Sequence, residues 1–188
     1  HIGIMNTLLT YENVPFWHAF FQSLGFTVLL PRETTTRFFR VDSAGADTIP
    51  SESACYPAKL SHRRLKQLAQ AGATHVFMPH YERGEACAVA TEYVCALQDG
   101  SSLVLDLAHH IVSPLLPTAS PAKLATLETA RNTLFKAVND VAASCNCTLS
   151  YAEFESALKA GISAQEKHEK LVRQANEKAL TWINASPK

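Results

Sequence analysis

Short runs of consecutive apolar residues alternate along this chain with longer segments whose apolar residues recur every three or four positions, which predicts strands alternating with helices. Ile2-Gly3-Ile4-Met5 is such a run and stops at Asn6-Thr7, as a buried first strand followed by a loop would. Pro15 opens a helix in which Phe16, Trp17, Phe20, Phe21 and Leu24 share a core-facing stripe, and Gly25 ends it. His18 and Gln22, one turn apart on the other side, face solvent. Phe26-Thr27-Val28-Leu29-Leu30 reads as a second strand closed by Pro31. A helix is expected over Thr34 to Val41, with a turn at Ser43-Ala44-Gly45. The helix from Pro57 to about Ala71 offers Leu65, Leu68 and Ala69 to a core and stops at Gly72. Thr74-His75-Val76-Phe77-Met78 is the third strand, ended by Pro79, which cannot donate within a ladder.

Ala86 to Leu97 reads as a helix carrying Cys87 and Cys95, and Asp99-Gly100 as the turn before a fourth strand over Ser101 to Leu107. After Pro114 and Pro117 the pattern becomes helical throughout. Ser120 caps and Pro121 opens a long helix with Leu124, Leu127, Leu134, Val138 and Val141 along one side. A second helical stretch runs from Ser150 to Ile183, with a bend expected near Gly161. Glu166 to Lys178 is heavily charged, yet Leu171, Val172, Ala175, Ala179, Trp182 and Ile183 still form one stripe. The order implies an α/β fold: residues 1–117 as a Rossmann-like three-layer domain with a mostly parallel sheet, and 118–188 as a C-terminal helical hairpin packed on it or on a partner. Ligands of such sheets bind beyond the carboxyl ends of the strands. Asn6, the Cys55 loop and Pro79-His80-Tyr81 are expected to meet there.

Composition narrows the function classes. The chain has 188 residues, 47% of them hydrophobic, enough for a sizeable core. Seventeen basic and seventeen acidic residues cancel, so no overall field draws it to nucleic acid or to an acidic membrane. No apolar run approaches the roughly 20 residues that span a bilayer, and no signal-peptide pattern opens the chain, so a cytoplasmic location is expected. The start at His1, directly in a strand, suggests a piece of a longer polypeptide with partners in cis. Five cysteines, an odd number in a chain this long, do not look like a disulfide framework and read as reduced thiols, some of which could bind metal. Asn146-Cys147-Thr148 fits the glycosylation pattern but carries no meaning in that compartment.

The candidate chemistry centres on Pro50-Ser51-Glu52-Ser53-Ala54-Cys55-Tyr56-Pro57-Ala58-Lys59. Proline suits the first helical position, which places Cys55 just outside a helix N-terminus, where the helix dipole favours an anion such as a thiolate. The bland alternative is a small buried residue in a tight loop. Glu52 is a candidate cap or second-sphere partner. Lys59, His62, Arg63 and Lys66 fall on one helix face, which could bind phosphates such as those of a nucleotide or of coenzyme A, though such a face is more often simply solvated. A zinc or iron–sulfur ligand set would draw on Cys55, His80, Cys87, Cys95, Cys145, Cys147 and His109-His110, whose spacings match no zinc-finger or ferredoxin pattern. Cys145-x-Cys147 and Cys87 are expected to be structural, and at most one of His109 and His110 to reach the rim. No G-x-G-x-x-G, Walker lysine loop or G-x-S-x-G elbow is present, and no complete catalytic set is evident, so whether the chain is itself an enzyme stays open.

With these residues in view, the chain resembles the acyl-CoA dehydratase activase-related domain of large bacterial proteins that carry activator ATPase modules, a relative of 2-hydroxyacyl-CoA dehydratase subunits. The resemblance rests on Ile2-Gly3-Ile4-Met5, Tyr11-Glu12-x-x-Pro15-Phe16-Trp17, Phe20-Phe21-x-x-Leu24-Gly25-Phe26 and the Cys55 motif, and covers about residues 1–117. It implies a redox domain holding a [4Fe-4S] or related cluster for reductive acyl-CoA chemistry, with Cys55 and Cys95 as ligands. The family commonly reads Pro-Cys after the third strand. This chain reads Pro79-His80, and Ala96 follows Cys95 where proline is usual, leaving His80 as a candidate third ligand. The implied partners are the activator ATPase modules and an acyl-CoA substrate, with a second copy of the chain a further candidate. The alternative implied by the same resemblance is a non-catalytic module that docks an activator or dehydratase subunit, its cluster lost. A thiol or zinc site at Cys55 without iron is a third.

Overall fold

The computed structural model describes residues 1–32, 49, 54–82, 87–101, 106 and 110–185. Among them, β1 (Ile2–Ile4), β2 (Val28–Leu29), β3 (His75–Phe77) and β5 (Ile111–Val112) form a parallel four-stranded sheet in the order β2-β1-β3-β5. Ile2 lies opposite Val28 on one side and His75 on the other, and Val76 opposite Ile111. Helix α1 (Val14–Ser23) joins β1 to β2, helix α2 (Tyr56–Gln70) precedes β3, and α3 (Ala88–Ser101) leads toward β5. The order reverses at β1, so the crevice of this topology opens between the carboxyl ends of β1 and β3.

Side-chain alternation along the strands separates two cores. Ile2, Ile4, Phe77 and Tyr81 join Phe16, Trp17, Phe20 and Phe21 of α1 on one face. Met5, Val76, Met78 and Ile111 join Leu65 and Leu68 of α2 and Val94 and Leu97 of α3 on the other. Gly3 points to this second face, where a Cβ would meet the Leu68 methyls at 2.9 Å. Pro79 interrupts β3 without ending the ladder. β4 (His80–Tyr81) pairs in parallel with β6 (Leu115–Leu116), and the amides of Met78, His80 and Glu82 reach the carbonyls of Val112, Pro114 and Leu116 at 3.1, 3.0 and 3.0 Å. Alternate residues donate to one neighbour in a parallel ladder, so Pro79 occupies a position whose N–H would face β1, which has already ended. The carboxyl edge is therefore stepped, with β1 short and β3 and β5 carried on by β4 and β6.

The C-terminal segment comprises α4 (Pro121–Thr126), α5 (Glu128–Ser144) and α6 (Tyr151–Ala185). The single helix expected from Pro121 is two, because Leu127 is extended (φ −81°, ψ 115°). That break lets Leu124, Ala130 and Leu134 enter the same core from two helix axes. α6 runs unbroken through Gly161, whose role is close approach: a Cβ there would lie 2.7 Å from the Phe16 ring and 3.0 Å from the Phe16 carbonyl oxygen. α1 is consequently covered on both sides, by the sheet and by the first half of α6. The expected helix over Thr34 to Val41, Glu52, and most of the expected fourth strand lie outside the described residues. Ser101 belongs to α3, and the strand that takes the fourth position begins at Ile111.

Gly161→Ala should destabilise the chain by up to about 2 kcal/mol in urea denaturation. Overpacking against the ring and backbone of Phe16 costs roughly 1–3 kcal/mol, offset by the roughly 1 kcal/mol that alanine adds to helix propensity. A gain in stability would contradict the close approach.

Candidate functional site

Cys55 is the N-cap of α2, in extended conformation (φ −64°, ψ 156°), with Tyr56 and Pro57 as the first two helical residues. Its carbonyl oxygen accepts from the Lys59 amide at 3.1 Å, while its thiol makes no capping hydrogen bond and is exposed. The proline rule placed it correctly to within one residue. α2 is tethered to the loop after β1: the Ser61 hydroxyl donates to the Pro57 carbonyl at 3.2 Å, which leaves Thr7 to donate to Ser61 Oγ at 2.9 Å. Leu8, next in that loop, sits at φ 52°, a left-handed conformation that a bulky side chain adopts only under constraint. The β1 loop and the start of α2 thus meet at the carboxyl edge.

His62 lies two turns from Cys55 on the same face of α2 and is buried, 1% exposed. Its Nε2 is 3.0 Å from the Tyr93 hydroxyl of α3, with the rings edge to face. Burial lowers its pKa from 6.5 to about 4, so it is neutral at pH 7 and adds no charge to the basic line of α2. Lys59, Arg63 and Lys66 remain as that line, each half-buried. Burial raises the pKa of the Tyr93 phenol, and charge on Cys55 raises it further. An exposed thiol at the start of α2 and a buried phenol–imidazole pair two turns along it are thus electrostatically linked. Tyr93 was missed as a site residue; its spacing with Ala90, Val94 and Leu97 marks a buried helix face that a hydroxyl must enter with a partner.

The other candidates distribute unevenly. His80, in β4, follows Val76 and Met78 at two-residue spacing and so stands over the α2/α3 face of the sheet, half-buried. Cys95 is exposed and lies about 200° round α3 from Tyr93, away from Cys55. Cys87 is not packed in a core: it is exposed, and its carbonyl accepts the Ala90 and Thr91 amides at the start of α3. His110 precedes β5 and its ring lies 5.6 Å from that of His75, at the amino edge of the sheet rather than the crevice rim; His109 is outside the described residues. Among the described residues, no three Cys, His, Asp or Glu side chains gather in a way that could hold a metal ion. Cys55, His80 and Cys95 thus do not form a ready donor set.

Because His62 is neutral when folded but titrates near 6.5 when unfolded, the unfolded chain binds the extra proton between pH 6.5 and 4. Folding stability should be complete above about pH 6.5 and fall by about 3 kcal/mol as pH drops toward 4. Denaturation midpoints of the native chain and of His62→Gln across this range check it. The variant is expected to be weaker at pH 7 but flatter below; parallel profiles would contradict a neutral buried His62.

No helix among the described residues is long and apolar enough to cross a membrane. No curated protein and no solved structure matches the chain. A family model does, over residues 1–188, and it is described as the CoA enzyme activase uncharacterised domain (DUF2229). Over its whole length, through both the sheet and the helical tail, the chain belongs to that family of CoA enzyme activase domains.

Proposed function

We propose that the chain is an accessory domain of CoA enzyme activase proteins, docked to the activase parts through the second half of α6 and presenting the Cys55 edge to a CoA-linked substrate. The carrying observation is the tail. Residues 166–185 of α6 are exposed throughout, including Leu171, Val172, Leu180, Trp182 and Ile183. Val172, Ala175, Ala179 and Trp182 continue at heptad spacing from Phe154, Leu158, Gly161 and Gln165, the buried positions of the first half. A seam that packs on α1 therefore extends past it as an apolar stripe, and packing of such a face is where most helical stability in proteins comes from. Running down α2 from the crevice, Lys59, Arg63 and Lys66 carry charge of the sign that the phosphates of coenzyme A require.

Titration calorimetry of the chain against the ATPase part of an activase protein tests the docking. Trp182→Ala should weaken binding by about 30-fold, as for a buried aromatic anchor, while Lys167→Ala on the polar side should change it little. Equal affinity for both variants and the native chain would sink the tail as the interface.

A second reading, favoured by the place of Cys55 at the crevice, is a [4Fe-4S] cluster for reductive acyl-CoA chemistry. Such a cluster would supply single electrons to an acyl thioester. The donor set in this chain does not fit it: thiolates are the usual ligands, Cys95 faces away, and His80 stands where a thiolate is wanted. Any cluster would need ligands from the activase parts or a rearranged α3. Anaerobic reconstitution of the chain alone with iron and sulfide should therefore leave it colourless. Stoichiometric iron and sulfide, with charge-transfer absorbance that Cys55→Ala abolishes, would instead establish the cluster.

A further inference from the structure

The turn between α5 and α6 carries two exposed thiols, one residue apart, that neither the fold nor the crevice uses. α5 ends in a Schellman motif: Cys145 is the C-cap, Asn146 is left-handed at φ 56°, and the amides of Asn146 and Cys147 reach the carbonyls of Ala143 and Ala142 at 3.0 and 2.9 Å. The next helix is fixed at once by a capping box, in which the Ser150 amide and hydroxyl donate to Glu153 Oε2 at 2.9 and 2.6 Å. A residue in helical conformation of either hand holds its two neighbours' Cα atoms about 5.4 Å apart, from the rise and radius of the helix. That separation lies inside the roughly 4.4–6.8 Å over which disulfides form.

Both thiols are exposed rather than packed, and both line a cavity of about 310 Å³ between this turn and the Ser23–Thr27 end of α1. Their contacts are weak ones. Cys147 Sγ donates to the Cys145 carbonyl at 3.6 Å, and Cys145 Sγ lies 3.8 Å from Ser144 Oγ. Neither sulfur is held in a packed core or by a strong partner, so both side chains are free to turn within the open turn.

We propose that Cys145 and Cys147 are a redox-active dithiol that closes to an intramolecular disulfide by exchange with a low-molecular-weight disulfide such as oxidised glutathione. One cysteine thiolate attacks a sulfur of the small disulfide, forming a mixed disulfide and releasing one glutathione thiolate. The second cysteine thiolate then attacks the protein sulfur of that mixed disulfide, forming the Cys145–Cys147 bond and releasing the second glutathione. The two protons lost by the cysteines go to the two released thiolates, and the pair of electrons reduces the small disulfide. The ring closes around a single residue, so the bond belongs among the strained, readily reduced disulfides rather than the structural ones. Its formation stiffens the α5–α6 turn.

The reduced 188-residue chain, diluted into oxidised glutathione, acid-quenched, alkylated and mapped by peptide mass spectrometry, tests this. The peptide containing both residues should lose two hydrogens and take up no alkyl group. Cys145→Ser and Cys147→Ser should each trap a glutathione adduct on the remaining thiol that persists at least about tenfold longer than in the native chain, since the resolving thiol is held at high effective concentration. Cys55, Cys87 and Cys95, each exposed, serve as internal controls that stop at the mixed disulfide. Persistent adducts on both Cys145 and Cys147 in the native chain overturn the proposal. So does a native peptide that stays doubly alkylated under conditions where the single variants carry glutathione.

Discussion

The rest of the molecule depends on the burial of one aromatic helix from two sides. Phe16, Trp17, Phe20 and Phe21 of α1 are all within 1% of complete burial. Trp17 and Phe21 meet Phe77 of the sheet at ring-centroid distances of 4.5 and 4.9 Å, and Phe20 meets Phe154 of α6 at 5.8 Å. Truncating any one such ring costs roughly 3–5 kcal/mol, a large part of the total stability of an ordinary domain. The sheet is made of very short strands and could not stand alone. Its permanence comes from α1, and α1 in turn needs α6, which comes close enough only because residue 161 has no side chain.

This arrangement divides the labour between the faces of the sheet. The α1 face is aromatic and committed to stability. The α2/α3 face is smaller and admits polar groups near its carboxyl edge, where Thr7, Ser61, His62 and Tyr93 pair with one another. β1 ends early while β3 and β5 continue as β4 and β6 past their prolines, so the step in the sheet opens beside the loop that holds Leu8 at positive φ. Polar pairs, a strained backbone position and an exposed thiol at a helix N-terminus coincide there, and the topology independently marks that edge for ligands.

Much of the fold was legible because local rules and global packing agree. Gly25 and Gly72 end helices at positive φ where their positions demanded it, and the apolar runs at Ile2 and His75 became central strands. Other features were hidden because they depend on contacts distant in sequence. Gly161 reads as a bend but serves an approach to Phe16, and Leu127 reads as one more stripe residue but breaks the helix. His62 looks like part of a basic face until the partner across the groove, Tyr93, shows it to be buried and neutral. Cys145 and Cys147, expected to be structural, are both at the surface. In the candidate site, the position of Cys55 at a helix start follows from a rule that needs no tertiary information. The exposure of Cys95 does not, since the rotation of α3 is set by Val94 and Leu97 against a core that periodicity alone does not orient.

The central claim is that the carboxyl edge between β1 and β3, with Cys55, Tyr93 and the Lys59 line around it, is the functional edge of this CoA enzyme activase domain. Amide chemical-shift mapping of the chain during titration with coenzyme A tests it most directly. The account predicts shifts concentrated at Thr7, Cys55, Lys59 and the start of α3. Shifts confined to the opposite edge, around His75, His110 and Asp140, or none at millimolar ligand, would contradict it.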